Sequence, residues 1–305
     1  MLSYKRKRII DNICNKTFLF LTILCSSIIF AIIGIILVKG ISPFVNVYYL
    51  NGLPIKVSLS NFLFGLSWEK SSNDFGILFI LINTFYVSLL SLLISVPISV
   101  LTALFIVRMA PKWLSKILTT VTEILSSVPS IIYGLFGAGL VTVLIRNFAM
   151  IFNYQTAGGL STLATVIVLS MMIMPTITTI SITSIKSVKQ EYINGSLALG
   201  ASVTQTNFKV VLKSAKSGIM SGVILGIGRA LGEATAVSMV CGNAQSGPTF
   251  SLFDITRTLT STMLTGLSES TGLKYDIRFS IAIVLLALII IVNLLLNKVK
   301  KRISA

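Results

Sequence analysis

The sequence predicts an all-α integral membrane protein with about six transmembrane helices, on three observations. Of its 305 residues, 54% are hydrophobic and 11% are charged. A soluble domain carries about a quarter charged residues, so a chain this apolar needs lipid as its solvent. Several uncharged runs reach the ~20 residues that cross a bilayer as a helix. The basic residues gather on alternate connections between those runs, as the positive-inside rule requires.

Composition also excludes. With no histidine in the chain, His-based zinc sites, His general bases and Ser-His triads fall away together. Cys14, Cys25 and Cys241 sit far apart and give neither a disulfide framework nor a metal knot. They read as isolated small hydrophobes. The formal charge of +16 can signal nucleic-acid binding. Here the positive charges lie where a membrane protein keeps its cytoplasmic side, so neither nucleic acid, metal nor cofactor is expected. No G-x-x-x-x-G-K-[ST] loop is present, so ATP hydrolysis, if transport needs it, falls to another subunit.

Residues 1–17 form a basic N-terminus containing Lys5, Arg6, Lys7 and Arg8. Phe18–Val38 is uncharged, long enough to span, and ends in no A-x-A site, so it reads as an uncleaved first helix. It belongs to a region, 18–76, whose remainder is exterior, with a short interfacial element expected around Trp68. The main transmembrane region, 77–297, holds spans near Ile77–Val107, Ile117–Ile145, Leu160–Ile185, Gly218–Val240 and Phe279–Leu296. Val128-Pro129-Ser130 kinks or breaks the third span. Glu123 near its inner end reads as an interfacial carboxylate. Residues 298–305 are a basic C-terminus. Most of the 25 Lys and Arg residues fall on the N-terminal side of this alternation, which puts both termini in the cytoplasm.

Residues 186–217, between the fourth and fifth spans, are too polar to span and too long for a simple turn. Val188, Ile193, Leu197 and Leu199, then Phe208, Val210, Val211 and Leu212, suggest two short helices. Gly200 lies between them and Ser202 can cap the second. Such a knob suits a groove in another protein, or the loop lies on lipid headgroups.

The fifth span contains Gly226-Ile227-Gly228-Arg229-Ala230-Leu231-Gly232-Glu233-Ala234-Thr235. An arginine at a helix centre costs about 2.5–3.5 kcal/mol on insertion scales and needs a partner or a wet cavity. Glu233 follows four residues later, on the same face if the helix continues. The pair either fixes helix packing or places a guanidinium on an anion's route, where its planar fork suits an oxyanion.

These residues carry a resemblance. Gly228 to Val237 is similar to the G-R-A-I-G-E-T-x-A-V run of phosphate ABC permeases of the PstC type. Pro129-Ser130-Ile131-Ile132-Tyr133-Gly134-Leu135-Phe136-Gly137 resembles that family's P-S-V-V-Y-G-L-x-G. The 186–217 loop resembles the E-A-A-x3-G-x9-I-x-L-P loop of ABC importer permeases through Asn194-Gly195-Ser196, Leu199, Gly200, Ala201, Val210 and Leu212. Lys213 replaces its final proline. The resemblance implies a type I ABC importer permease (MetI-like) fold and import of inorganic phosphate. It also implies a heterodimer with a sister permease, two ATPase subunits and an exterior phosphate-binding protein. Arg229 and Glu233, with Gly228, Gly232 and Thr235, would line the substrate pathway. The 186–217 loop would couple to the ATPase, and Pro129, Ser130, Tyr133 and Gly134 would form a helix break. That break either packs two helices tightly or exposes backbone to a midplane route. A permease for another oxyanion, such as sulfate, molybdate or phosphonate, and a membrane scaffold or sensor remain as alternatives.

Overall fold

A computed structural model describes residues 4–50, 53–69 and 74–304. Among the described residues six helices are long and apolar enough to cross a membrane: Ile10–Val45, Leu78–Arg108, Ser130–Ile151, Thr162–Lys186, Val203–Gly232 and Leu273–Arg302. We label the elements that matter below α1 (Tyr4–Val45), α2 (Leu59–Phe64), α3 (Leu78–Arg108), α4 (Lys112–Ser127), α5 (Ser130–Phe136), α6 (Thr142–Ile151) and α7 (Thr162–Lys186). They continue with α8 (Gln190–Ala198), α9 (Val203–Gln205), α10 (Leu212–Gly232), α11 (Thr235–Val240), α12 (Leu259–Leu264) and α13 (Leu273–Ser304).

Water cannot satisfy backbone or hydroxyl groups in hydrocarbon, so the helices pack through small and polar residues. Serines spaced by four on α3 reach across to α7. Ser91, Ser95 and Ser99 donate to the carbonyls of Val166, Ser170 and Met174 at 3.3, 3.3 and 3.1 Å, and Ser170 donates back to Ser91 O at 3.2 Å. On the other side of α7, Gly218, Gly222 and Gly226 of α10 meet Ser184, Ile180 and Ile177 so closely that a Cβ would crowd them. Helix α1 rests on α13, where Ser280 donates to Gly40 O at 2.6 Å. Its other large apolar side chains, from Phe18 to Val38, are mostly exposed, as lipid contact demands.

Three apolar clusters run along the bundle. One, with Phe62, Trp68, Phe75, Ile77 and Ile277, closes the end that carries residues 46–77. A central one joins α3, α7 and α11 through Val87, Met172 and Val237. The third, with Leu104, Ile185, Ile193 and Val211, closes the opposite end.

Several expected boundaries move. The first helix runs from Tyr4 to Val45 and the last from Leu273 to Ser304, since long basic side chains let a helix continue from hydrocarbon into the interface. The third expected span divides. Helix α4 is a separate amphipathic helix with no buried residue, and the crossing is made by Ser130–Ile151 with a π-helical stretch at Gly137–Val141. Pro129 causes the division, because its ring and missing N–H end the helix before it. Trp68 does lie in a short element. Its β3 strand, Trp68–Glu69, pairs with β4, Asp74–Phe75, and the indole is buried with its ring centroid 5.2 Å from Phe75. The fifth span shifts most. Its helix begins at Val203 and ends at Gly232, and α11 is a separate short helix after the break.

Candidate functional site

Arg229 sits three residues from the end of α10 and is half-buried. Its Nη1 donates to Thr176 Oγ1 on α7 at 2.8 Å. Pro175, inside α7 just before Thr176, removes one backbone hydrogen bond from that turn. The guanidinium opens onto a cleft of about 620 Å³ whose polar lining is Thr176, Ser221, Asn293 and Asn297. Gly228 lines the same cleft and has nothing near its missing side chain. No carboxylate lines it. One fixed positive charge, neutral donors and amide and hydroxyl acceptors make a cleft suited to a partly protonated oxyanion.

The expected Arg229–Glu233 pair does not form among the described residues. Glu233 is no longer helical, with φ −74° and ψ 116°, so the four-residue spacing no longer places the two side chains on one face. Instead Glu233 Oε1 accepts from Ala236 N at 3.0 Å and so caps α11, while its carbonyl accepts from Thr260 Oγ1 at 2.6 Å. A carboxylate at a helix N-terminus satisfies a free N–H and meets the positive end of the helix dipole. Gly232 belongs to a separate cavity of about 280 Å³, lined also by Ala234, Thr260 and Arg278. Thr235 opens α11, and its carbonyl accepts from Ser238 Oγ at 2.9 Å. The five expected pathway residues therefore divide between a charged cleft and the turn beyond it.

Two other arginines are spent on the chain's own carbonyls. Arg278 spends its donors on the carbonyls of Thr262 and Met263 at 2.8 and 2.9 Å and on Ser270 Oγ at 3.0 Å. Arg257 is buried in the segment between α11 and α12 and donates to Asn243 O at 3.0 Å. Burial pulls its pKa down to about 10, so the charge is costly there but persists at neutral pH.

The helix break packs tightly rather than opening. Tyr133 OH donates across it to Leu125 O at 2.9 Å, taking up a carbonyl freed at the end of α4. Pro129 caps α5, and Ser130 is its first residue. A Cβ on Gly134 would lie 2.9 Å from Ala236 Cα, so α5 holds α11 and, through it, the turn at Glu233.

The knob forms largely as expected, except that its second helix runs on into the membrane. Gly200 has φ +83°, a conformation that favours glycine. Ser202 and Gln205 cap α9 reciprocally, which is why the helix starts there. Ala201 N donates to Ser196 O at 3.2 Å, and Ser196 Oγ lies 3.0 Å from Thr206 Oγ1. Asn194 Oδ1 accepts from Gln190 at 3.0 Å, and Leu199 N donates to Gly195 O. Ile193 is buried, and Arg108 Nε donates to Asn207 Oδ1 at 3.1 Å, fixing the knob to the end of α3. Val210 is half-buried, and Leu212 packs against the apolar cluster below the knob. Leu199, at the tip, is 91% exposed.

Sequence reasoning missed Thr176, Asn293 and Asn297. Two amides four apart in the last apolar helix are a signal, since polar groups in hydrocarbon face a cavity or a partner. Among the described residues no cluster of His, Cys, Asp and Glu could hold a metal ion.

A family model described as binding-protein-dependent transport system inner membrane component matches residues 95–305. The probable ABC transporter permease protein YqgH of Bacillus subtilis is 35% identical over 270 residues, 87% of this chain and 82% of its own. The phosphate transport system permease protein PstC of Pasteurella multocida is 30% identical over 260 residues, 79% of this chain and 81% of its own. A chain of a bacterial ABC transporter involved in the import of the acidic polysaccharide alginate superposes with a TM-score of 0.64 over 98% of this chain and 100% of its own, at 15% identity. That identity speaks for the fold alone.

Proposed function

We propose, since this chain belongs to the family of binding-protein-dependent transport system inner membrane components, that inorganic phosphate is the anion it carries and that Arg229 meets it. The chain is a multi-pass permease subunit of an ABC transporter, and ATP hydrolysis belongs to a separate subunit. The name of the Pasteurella relative, together with that of a probable phosphate permease of Methanocaldococcus jannaschii at 28% identity, supports phosphate. The observation that carries the reading is the cleft itself: an arginine without a carboxylate beside it, faced by hydroxyls and two amides. Phosphate near neutral pH keeps a proton and so needs an acceptor as well as donors. Amide and hydroxyl oxygens supply one.

The working assembly in this reading is a heterodimer with a sister permease, two ATPase subunits seated on the knobs, and an exterior phosphate-binding protein. Nucleotide-driven movement of the knob passes through Ile193 and Asn207 into α10 and α3, which shifts Arg229 against Thr176 and alternates access to the cleft.

The test is uptake of radiolabelled phosphate by the complete complex, with unlabelled anions in 100-fold excess. Unlabelled phosphate should suppress uptake and sulfate or molybdate should not. Equal suppression by sulfate would assign a broader oxyanion permease. ATP hydrolysis without any uptake would leave a scaffold or sensor.

Orientation follows from the lysines. With Cys14, Cys25 and Cys241 replaced, a cysteine at Ser304 should resist a membrane-impermeant reagent in intact cells and react after permeabilisation. One at exposed Glu269, on the opposite end, should react in both. The reverse pattern would invert the topology.

A further inference from the structure

We propose a second anion site, for a phosphate group, in the cleft between α4 and the end of α7 on the knob side of the bundle. The cleft has a volume of about 320 Å³ and is lined by Lys112, Ser115, Lys116, Thr119, Thr120 and Lys186. Lys112 and Lys116 lie one turn apart on α4, and Lys186 ends α7. The side chains of the three lysines and of Ser115 have no hydrogen-bond or ion-pair partner among the described residues. Three like charges converging without a counterion repel one another unless an anion joins them.

Among the described residues no carboxylate pairs with these lysines, and Glu191, five residues past Lys186 in the first turn of α8, makes no ion pair with them. Helices α3 and α7 contain no Asp or Glu. Glu123, the one carboxylate of α4, lies seven residues past Lys116, about 10 Å along the axis. The cleft also sits at the N-terminal turns of a 16-residue helix, where free N–H groups add partial positive charge. Thr119 and Thr120 donate to the carbonyls of Ser115 and Lys116 at 2.8 and 3.1 Å, so their oxygens face outward as acceptors. Ser115 keeps its proton for the ligand.

The chemistry is that of a phosphate oxyanion, and it has two sources: a phospholipid headgroup or the free ion. The neighbouring face of α4 favours the lipid. Trp113, Ile117, Val121 and Ile124 form a stripe there that is 66, 51, 43 and 60% exposed. A helix with an apolar stripe beside lysines lies along the headgroup boundary, and basic clefts between helices at that depth hold anionic headgroups. Acyl chains would run down the stripe. The site is distant in sequence from Arg229 and stands whatever anion the permease carries.

The test uses the assembled complex in mixed micelles of phosphatidylglycerol and phosphatidylcholine. Native mass spectrometry counts retained lipid, and filter binding measures radiolabelled inorganic phosphate. The wild type is compared with a triple variant, Lys112→Gln, Lys116→Gln and Lys186→Gln, and with the corresponding triple arginine variant. At about fivefold per lysine, the glutamine variant should lose phosphatidylglycerol preference by about tenfold to a hundredfold, and the arginine variant should keep it. Retention against excess inorganic phosphate assigns the site to lipid. Loss of a phosphate-binding component in the glutamine variant, with no lipid preference in the wild type, assigns it to the free ion. If the triple variant fails to assemble, Lys186→Gln alone should show about a fivefold loss. Unchanged lipid and phosphate binding in the glutamine variants would overturn the proposal.

Discussion

Replacing Arg229 with Gln is expected to cut phosphate uptake by about 100-fold while the complex still assembles. Charge-assisted hydrogen bonds to an oxyanion contribute about 1.5–3 kcal/mol each. Losing one or two corresponds to about one to four orders of magnitude in rate. Assembly should survive, because the guanidinium's partner among the described residues is a threonine hydroxyl, Thr176 at 2.8 Å, which a glutamine amide can still serve. Arg229→Lys keeps the charge but not the fork, and should fall between, about tenfold down. Exchanging the pair, Arg229→Glu with Glu233→Arg, should not rescue uptake, since the two residues do not touch. Glu233→Gln should cost less than Arg229→Gln, because an amide oxygen can still accept from Ala236 N. Uptake per assembled complex is the measurement. Near-normal uptake in Arg229→Gln, or rescue by the exchange, would return Arg229 to a packing role.

The contrast between Arg229 and Glu233 also shows where sequence reading stops. Run length and lysine placement made six spans legible, because both report on transfer between water and hydrocarbon. Gly200 and Ser202 were legible because turn and cap chemistry is local. The break after Gly232 was not. Gly-Glu-Ala-Thr is compatible with a continuing helix, and only tertiary packing of α5 on α11, through Gly134 and Ala236, selects the turn. Once the helix stops, the four-residue spacing loses its meaning and the carboxylate becomes a cap. The start of α10 was hidden for another reason. Lys209, just before α10, and Lys213 and Lys216 on its first turns are exposed and depress the local hydropathy. Thr176 meets Arg229, and Asn293 and Asn297 line the same cleft, from helices far along the chain, and no local pattern reports such a meeting.

Leu199→Asp is expected to uncouple the transporter. The knob is built to present this side chain: Gly200 turns the chain at φ +83°, and Ile193, Arg108 and the Ser196–Thr206 contact fix the helix beneath it. A leucine 91% exposed beyond the end of a rigid helix gains nothing within the chain. Tyr192 and Val203 on the same knob are also 53 and 60% exposed. Central apolar anchors of an interface cost about 2–4 kcal/mol when truncated, and a buried, unpaired carboxylate costs more. Docking of the ATPase subunit should therefore weaken by two orders of magnitude or more, with uptake falling in parallel. The fold should hold, since Leu199 takes part in the cap of α8 through its backbone. Gly200→Val, which strains the turn instead of changing the surface, should weaken docking less, by about 1–2 kcal/mol. Co-purification of the ATPase with the permease, measured beside helical content, separates the two effects. Full ATPase binding and uptake in Leu199→Asp would show that the knob's tip meets lipid headgroups and that coupling runs through another surface.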